Sequence, residues 1–196
     1  MRVILKNAKI IKIIGSITPN FGNIADNYYI CAMIQKKPIT AEAVLKRMAT
    51  LCARSEQCSS DIRQKLYKAG LNEQDVEQVL SQLIENKFID DSRYAGAFSR
   101  DKARFAGWGH LKIRAALAAK KIPHDLICNA IDSISPDEFL EIAMKILASK
   151  SLNADLEKTA DRARMMRHLY ARGFDAGMAS MAINMTRDIR RHHKES

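Results

Sequence analysis

From Thr40 onward apolar residues recur three and four apart, the spacing of helices buried on one face, and no stretch alternates apolar with polar between hairpin turns. Thr40 is placed to cap a first helix whose inward positions are Val44, Leu45, Met48, Leu51 and Cys52. Ser59 or Ser60 opens a second, with Ile62 and Leu66 inside it and Gly70 ending it. Asn72, with Asp75 three residues on, resembles a capping box ahead of Val76, Val79, Leu80, Leu83 and Ile84. Two more helices are expected over about 92–106 and 109–121, and Pro123 suits the first turn of the next, with Leu126, Ile127, Ala130 and Ile131. Ser135-Pro136-Asp137-Glu138 is the clearest start signal: serine as cap, proline at the first helical position, glutamate reaching back from the third. Phe139, Ile142, Ala143, Ile146 and Leu147 follow on one face. Asn153 is expected to open a longer helix to Gly173, and a last helix runs from about Asp175 to Arg190.

These helices repeat. Ile62, Leu66, Gly70, Leu71, Val76, Val79 and Leu80 share their offsets with Ile113, Leu117, Lys121, Ile122, Ile127, Ala130 and Ile131. Met165, Leu169, Gly173, Phe174, Ala179, Ala182 and Ile183 form a third copy, and each copy follows its own leading helix. The pattern predicts an all-α protein of three tandem three-helix units over 40–90, 91–134 and 135–191, with a polar tail over 192–196. Each unit is small for a core of its own, so neighbours should lean on one another in an elongated, gently curved array. Such an array offers a long surface in place of a deep pocket.

Residues 1–39 form an N-terminal extension that does not share this pattern. Lys6, Lys9 and Lys12 interrupt its apolar run well short of the ~20 residues a spanning helix needs. A signal peptide would show an unbroken apolar centre and a small-residue cleavage site, and neither stands out. Two readings stay open: a short strand, amphipathic helix or untethered tail, or an over-long reading frame whose start is Met33.

Charge sharpens the picture. The chain of 196 residues carries a formal net charge of +10, which favours polyanions or acidic protein surfaces as partners. The middle of the chain concentrates it: Arg93, Arg100, Lys102, Arg104, Lys112, Arg114, Lys120 and Lys121 are the candidate contacts to a protein filament or to DNA phosphate. Arg93, Arg100 and Arg104 fall on one helical stripe, while Tyr94, Phe98 and Phe105 fall on another. One face is thus expected to bury while another presents three guanidinium groups. Trp108 and Phe105 are expected to pack between helices, with contact to a partner as the second reading.

No catalytic constellation survives inspection. His110, His124, His168, His192 and His193 are scattered, and there is no GxGxxG after a strand, no GxxxxGK[ST] and no HExxH. Gly107-Trp108-Gly109 lacks the strand of a phosphate loop and reads as a helix-linking turn. Asp90-Asp91 precedes a helix, where capping explains the pair better than a metal. Cys31, Cys52, Cys58 and Cys128 show no zinc spacing and read as reduced thiols, two or three of them in core. The chain reads as a non-enzyme that requires no metal and no cofactor.

A resemblance enters at the aligned residues. Ala53 to Leu66 is similar to the first repeat of the RecX regulatory proteins, and Phe88-Ile89-Asp90-Asp91-Ser92-Arg93-Tyr94-Ala95 with Phe98, then Gly107 to Ile122, resembles that family's most recognisable motifs. The likeness covers about Thr40 to Arg190. It implies a bacterial cytoplasmic protein, expected as a monomer off the membrane, that binds the RecA recombinase. Such proteins restrain the RecA filament on single-stranded DNA, with its ATP hydrolysis and strand exchange. The extension and the methionines of the third unit (Met165, Met166, Met178, Met181, Met185) depart from the family pattern. A competing reading is direct DNA binding by helix-turn-helix-like units, with the 109–121 helix against the duplex. Acids in the first unit, among them Glu56, Asp61, Glu73 and Glu77, weigh against DNA along the whole array. A purely structural adaptor is the third class.

Overall fold

The computed structural model describes residues 40–151 and 154–195, and every regular element among them is a helix. Three come first: α1 (Ala41–Arg54), α2 (Ser59–Lys68) and α3 (Glu73–Glu85). The middle set is α4 (Asp91–Arg104), α5 (His110–Ala119) and α6 (His124–Asp132). The last is α7 (Pro136–Lys150), α8 (Thr159–Ala171) and α9 (Ala176–Glu195). In each triplet the third helix packs on the two before it. The result is an all-α helical repeat array. The opening extension, with Met33 and Cys31, lies outside the described residues, as does Asn153.

The repeat is visible atom by atom. Ile62, Ile113 and Met165 are buried, as are Leu66, Leu117 and Leu169 one turn on. After each of these helices one residue turns left-handed: Gly70 at φ 91°, Lys121 at φ 59° and Gly173 at φ 88°. The next amide then closes the helix end, Leu71 N–H donating to Leu66 O, Ile122 to Leu117 O and Phe174 to Leu169 O. The side chains of Leu71, Ile122 and Phe174 drop into the core at that step. Glycine takes the left-handed position without steric cost; Lys121 holds a Cβ there, a conformation worth roughly 1–2 kcal/mol against an L-residue.

Burial divides unevenly. The first triplet has its own apolar cluster, from Val44 and Met48 to Leu83 and Ile89. The second and third share a continuous one from Tyr94 to Ile183. Cys58, just ahead of α2, is fully buried in that second cluster. Burial pushes its thiol pKa up, and Cys52 and Cys128 are partly buried free thiols.

Several local expectations are corrected. α8 begins at Thr159, not near Asn153: Ser151 ends α7, and Leu156 is buried from the turn that follows. Pro123 is the residue before α6, at ψ 144°, not part of its first turn. Ser135 does cap α7 by accepting from Glu138 N–H, but the Glu138 carboxylate receives Arg104 instead of reaching back. α4 and α5 end at Arg104 and Ala119, sooner than periodicity suggests, because Gly107 and Lys121 turn left-handed just beyond. α9 continues through His192 and His193 to Glu195, since the segment holds neither glycine nor proline to stop it.

Candidate partner-binding face

The site begins with aromatic rings on α4. Tyr94 and Phe98, four residues apart, stack with centroids 5.8 Å apart. Gly107, at φ 63°, folds the chain back so that Trp108 N–H donates to Lys102 O at 3.0 Å. The indole thereby meets Phe98 edge-on at 6.4 Å. Three ammonium groups lie over this ladder. Lys120 sits 5.7 Å from the Tyr94 ring, Lys102 5.1 Å from Trp108 and Lys112 4.8 Å from Trp108. Each such contact at an exposed site contributes about 0.5–1 kcal/mol. Lys102 and Lys112 have no carboxylate partner among the described residues, and neither do the exposed Arg100 and Lys121. An anionic group arriving there meets charge that nothing in the described chain neutralises.

The other predicted cations are already engaged. Arg93 Nε donates to Glu56 at 2.6 Å, Arg104 Nε to Glu138 at 2.6 Å and Lys120 Nζ to Asp61 at 2.6 Å. All three bonds run from the middle triplet to a neighbouring one. Two arginines of the expected outward stripe are therefore struts, though both side chains stay about half exposed. Exposed pairs of this kind contribute about 0–1 kcal/mol each. Burial pulls the Lys120 pKa down, but the Asp61 carboxylate and Tyr94 more than offset it, and the net direction is upward. Arg114 faces the Cys128 sulfur at 3.6 Å.

Asp90 and Asp91 divide their labour. The Asp90 side chain caps α4 through Arg93 N–H at 3.0 Å. Asp91 reaches across to α2, accepting from Ser59 N–H at 2.8 Å and Ser59 Oγ at 2.5 Å. It serves as the cap that α2 lacks locally, because Cys58 at the capping position makes no side-chain bond. No metal is needed to explain the pair.

The Gly107-Trp108-Gly109 turn is likewise occupied. Gly109 N–H donates to Arg172 O at 2.8 Å and Leu111 N–H to Gly173 O at 3.0 Å, so the start of α5 meets the end of α8. A Cβ on Gly109 would lie 2.3 Å from Gly173 O. Arg172 Nη1 donates to Ala106 O at 3.0 Å from the same joint. These amides hold carbonyls, not phosphate.

The family model for the RecX second three-helix domain matches residues 90–131, the segment bearing the aromatic ladder. The regulatory protein RecX of Vibrio vulnificus is 28% identical over 134 residues, spanning 68% of this chain and 86% of its own. Its counterpart in Neisseria meningitidis serogroup A is 29% identical over 137 residues, spanning 70% and 86%. The crystal structure of RecX from Lactobacillus salivarius superposes with a TM-score of 0.69 at 15% identity, covering 76% of this chain and 97% of that one, which shows the fold. The chain is similar to the RecX regulatory proteins in sequence and shares the RecX fold. Phe105, expected as a packed ring, is 86% exposed, and Trp108 completes the ladder instead. Helical spacing carries Phe105 on as a position of α4, but the helix ends at Arg104 with Phe105 as its C-cap, and the left-handed turn at Gly107 has no periodic signature. Also missed were the acids that turn toward the middle triplet, Glu56, Asp61 and Glu138.

Proposed function

We propose that this chain binds the RecA recombinase, or its filament on single-stranded DNA, and restrains ATP hydrolysis and strand exchange, in the bacterial cytoplasm and without catalysis of its own. The observation that carries the reading is the coincidence of two features: the family match falls on the middle triplet, and that triplet holds Arg100, Lys102 and Lys112 outward with no carboxylate partner among the described residues. These three, with Arg114 and Lys121, are the contacts to an acidic protein surface or nearby phosphates. Arg93, Arg104 and Lys120 are assigned instead to holding the array in register.

Direct DNA reading by α5 is the weaker account. A helix-turn-helix unit presents the N-terminal part of its second helix to base edges. The first amides of α5 are bonded to the carbonyls of Arg172 and Gly173, which cover that end.

Titration of DNA-dependent RecA ATP hydrolysis tests the proposal. The wild type should lower the rate at substoichiometric amounts, and Arg100→Ala with Lys102→Ala and Lys112→Ala should weaken the effect about tenfold, or ~1.4 kcal/mol, at unchanged helix content. An unaltered rate over a wide concentration range would sink the idea. Salt-sensitive DNA binding of equal strength without RecA would favour the DNA reading.

A further inference from the structure

A second cationic surface lies away from the aromatic ladder, in the groove between α1 and α2. Arg47 and Arg54 line it from α1, Lys65 and Lys68 from α2. Val44, Met48 and Leu51 form the apolar floor between them. Among the described residues no carboxylate lines the groove. The acids of this triplet turn elsewhere: Glu42 to Lys46, Glu56 to Arg93, Asp61 to Lys120 and Glu77 to Arg63. Lys65 donates to Gln57 Oε1, while Arg47, Arg54 and Lys68 are exposed with no ion-pair partner among the described residues. Acids and bases nearly balance in the sequence of this triplet, yet four of its seven bases line one groove.

We propose that this groove docks an acidic amphipathic segment of a partner protein, with carboxylates on Arg47, Arg54 and Lys68 and apolar side chains against Met48 and Leu51. Charge complementarity selects the occupant. A second copy of this chain, itself at +10, is repelled by the same cations. Single-stranded nucleic acid suits the rim but not the floor. Among the described residues no aromatic side chain lines the groove for a base to stack on, and a phosphate backbone leaves the apolar floor uncovered. An amphipathic peptide satisfies both at once, in the helix-in-groove mode.

The test uses the full chain and fluorescence anisotropy, and stands apart from the RecA titration because it contains no RecA. The probe is a labelled amphipathic peptide of glutamate and leucine; the comparisons are a glutamate–serine peptide of equal charge and oligothymidylate. The glutamate–leucine peptide should bind about tenfold or more tighter than either comparison. Arg47→Ala with Arg54→Ala and Lys68→Ala should weaken it about tenfold, while the Arg100, Lys102 and Lys112 alanine variant leaves it unchanged. Equal binding of oligothymidylate or of the glutamate–serine peptide would overturn the assignment, as would binding indifferent to the groove variant or no binding at all. Circular dichroism of the groove variant, whose three altered side chains are exposed, separates lost contact from lost fold.

Discussion

Single residues here are read best against their counterparts in the other triplets. Lys121 occupies the left-handed position that Gly70 and Gly173 fill elsewhere. Replacing it with glycine should raise stability by about 1 kcal/mol, seen as a higher denaturant midpoint at unchanged slope. His168 is a second such residue. Burial, then the positive charges of Arg172 and Lys150, hold its pKa below the ordinary 6.5. The ring accepts from Arg172 Nε at 3.3 Å, a bond that only the neutral form can receive. The unfolded chain therefore takes up the proton first. Stability contributed by neutral His168 is complete above pH 6.5 and lost as pH falls through the lowered folded value. Denaturant midpoints at pH 7.5 and 5 should differ more for the wild type than for His168→Gln, which keeps an acceptor without a titrating group.

Elements are joined by groups borrowed from their neighbours. α2 starts behind a cysteine that makes no cap, and its first amide is satisfied by Asp91 of α4. Both acceptor bonds are to a carboxylate, the stronger class. Asp91→Ala should cost about 1–2 kcal/mol and speed amide exchange first in α2. α7 is held at its other end by Arg190 of α9, which donates to Ser151 O and to Ser151 Oγ, both at 2.8 Å. A guanidinium at a helix C-terminus meets the unpaired carbonyls and the negative end of the dipole together. Arg93, Arg104 and Arg190 each tie one element to another, while Lys102 and Lys112 on the aromatic ladder have no carboxylate partner among the described residues.

At the scale of the whole array, the two junctions differ in character. The first rests on the short segment from Glu56 to Asp61, where Cys58 enters the neighbouring core and three polar pairs surround it. The second is a backbone joint between Gly109 and Gly173 beside a shared core. On Gly173 an added Cβ would fall 2.4 Å from Lys112 Cβ, at a φ of 88°. Gly173→Ala should therefore destabilise by about 2–3 kcal/mol, read as a lower denaturant midpoint, and loosen the third triplet from the second. Combined alanine replacement of Arg93 and Arg104 should likewise loosen the array at its junctions, because both are struts.

Much of this was written locally. Helix periodicity placed the core residues of all three copies, and Asn72, Ser135 and the terminal glycines marked helix ends, because a 3.6-residue period and a cap depend only on near neighbours. The eight central cations were legible as a group for the same reason. Their division was not. Whether a lysine or arginine faces a partner or a carboxylate depends on residues distant in the chain: Glu56 for Arg93, Glu138 for Arg104, Asp61 for Lys120. The groove between α1 and α2 belongs to the same class, since only packing brings Arg47 and Arg54 opposite Lys65 and Lys68. Sequence determined the all-α repeat and its basic character; tertiary structure decided which charges hold the array together and which it leaves outward, because that choice is made by contacts between triplets.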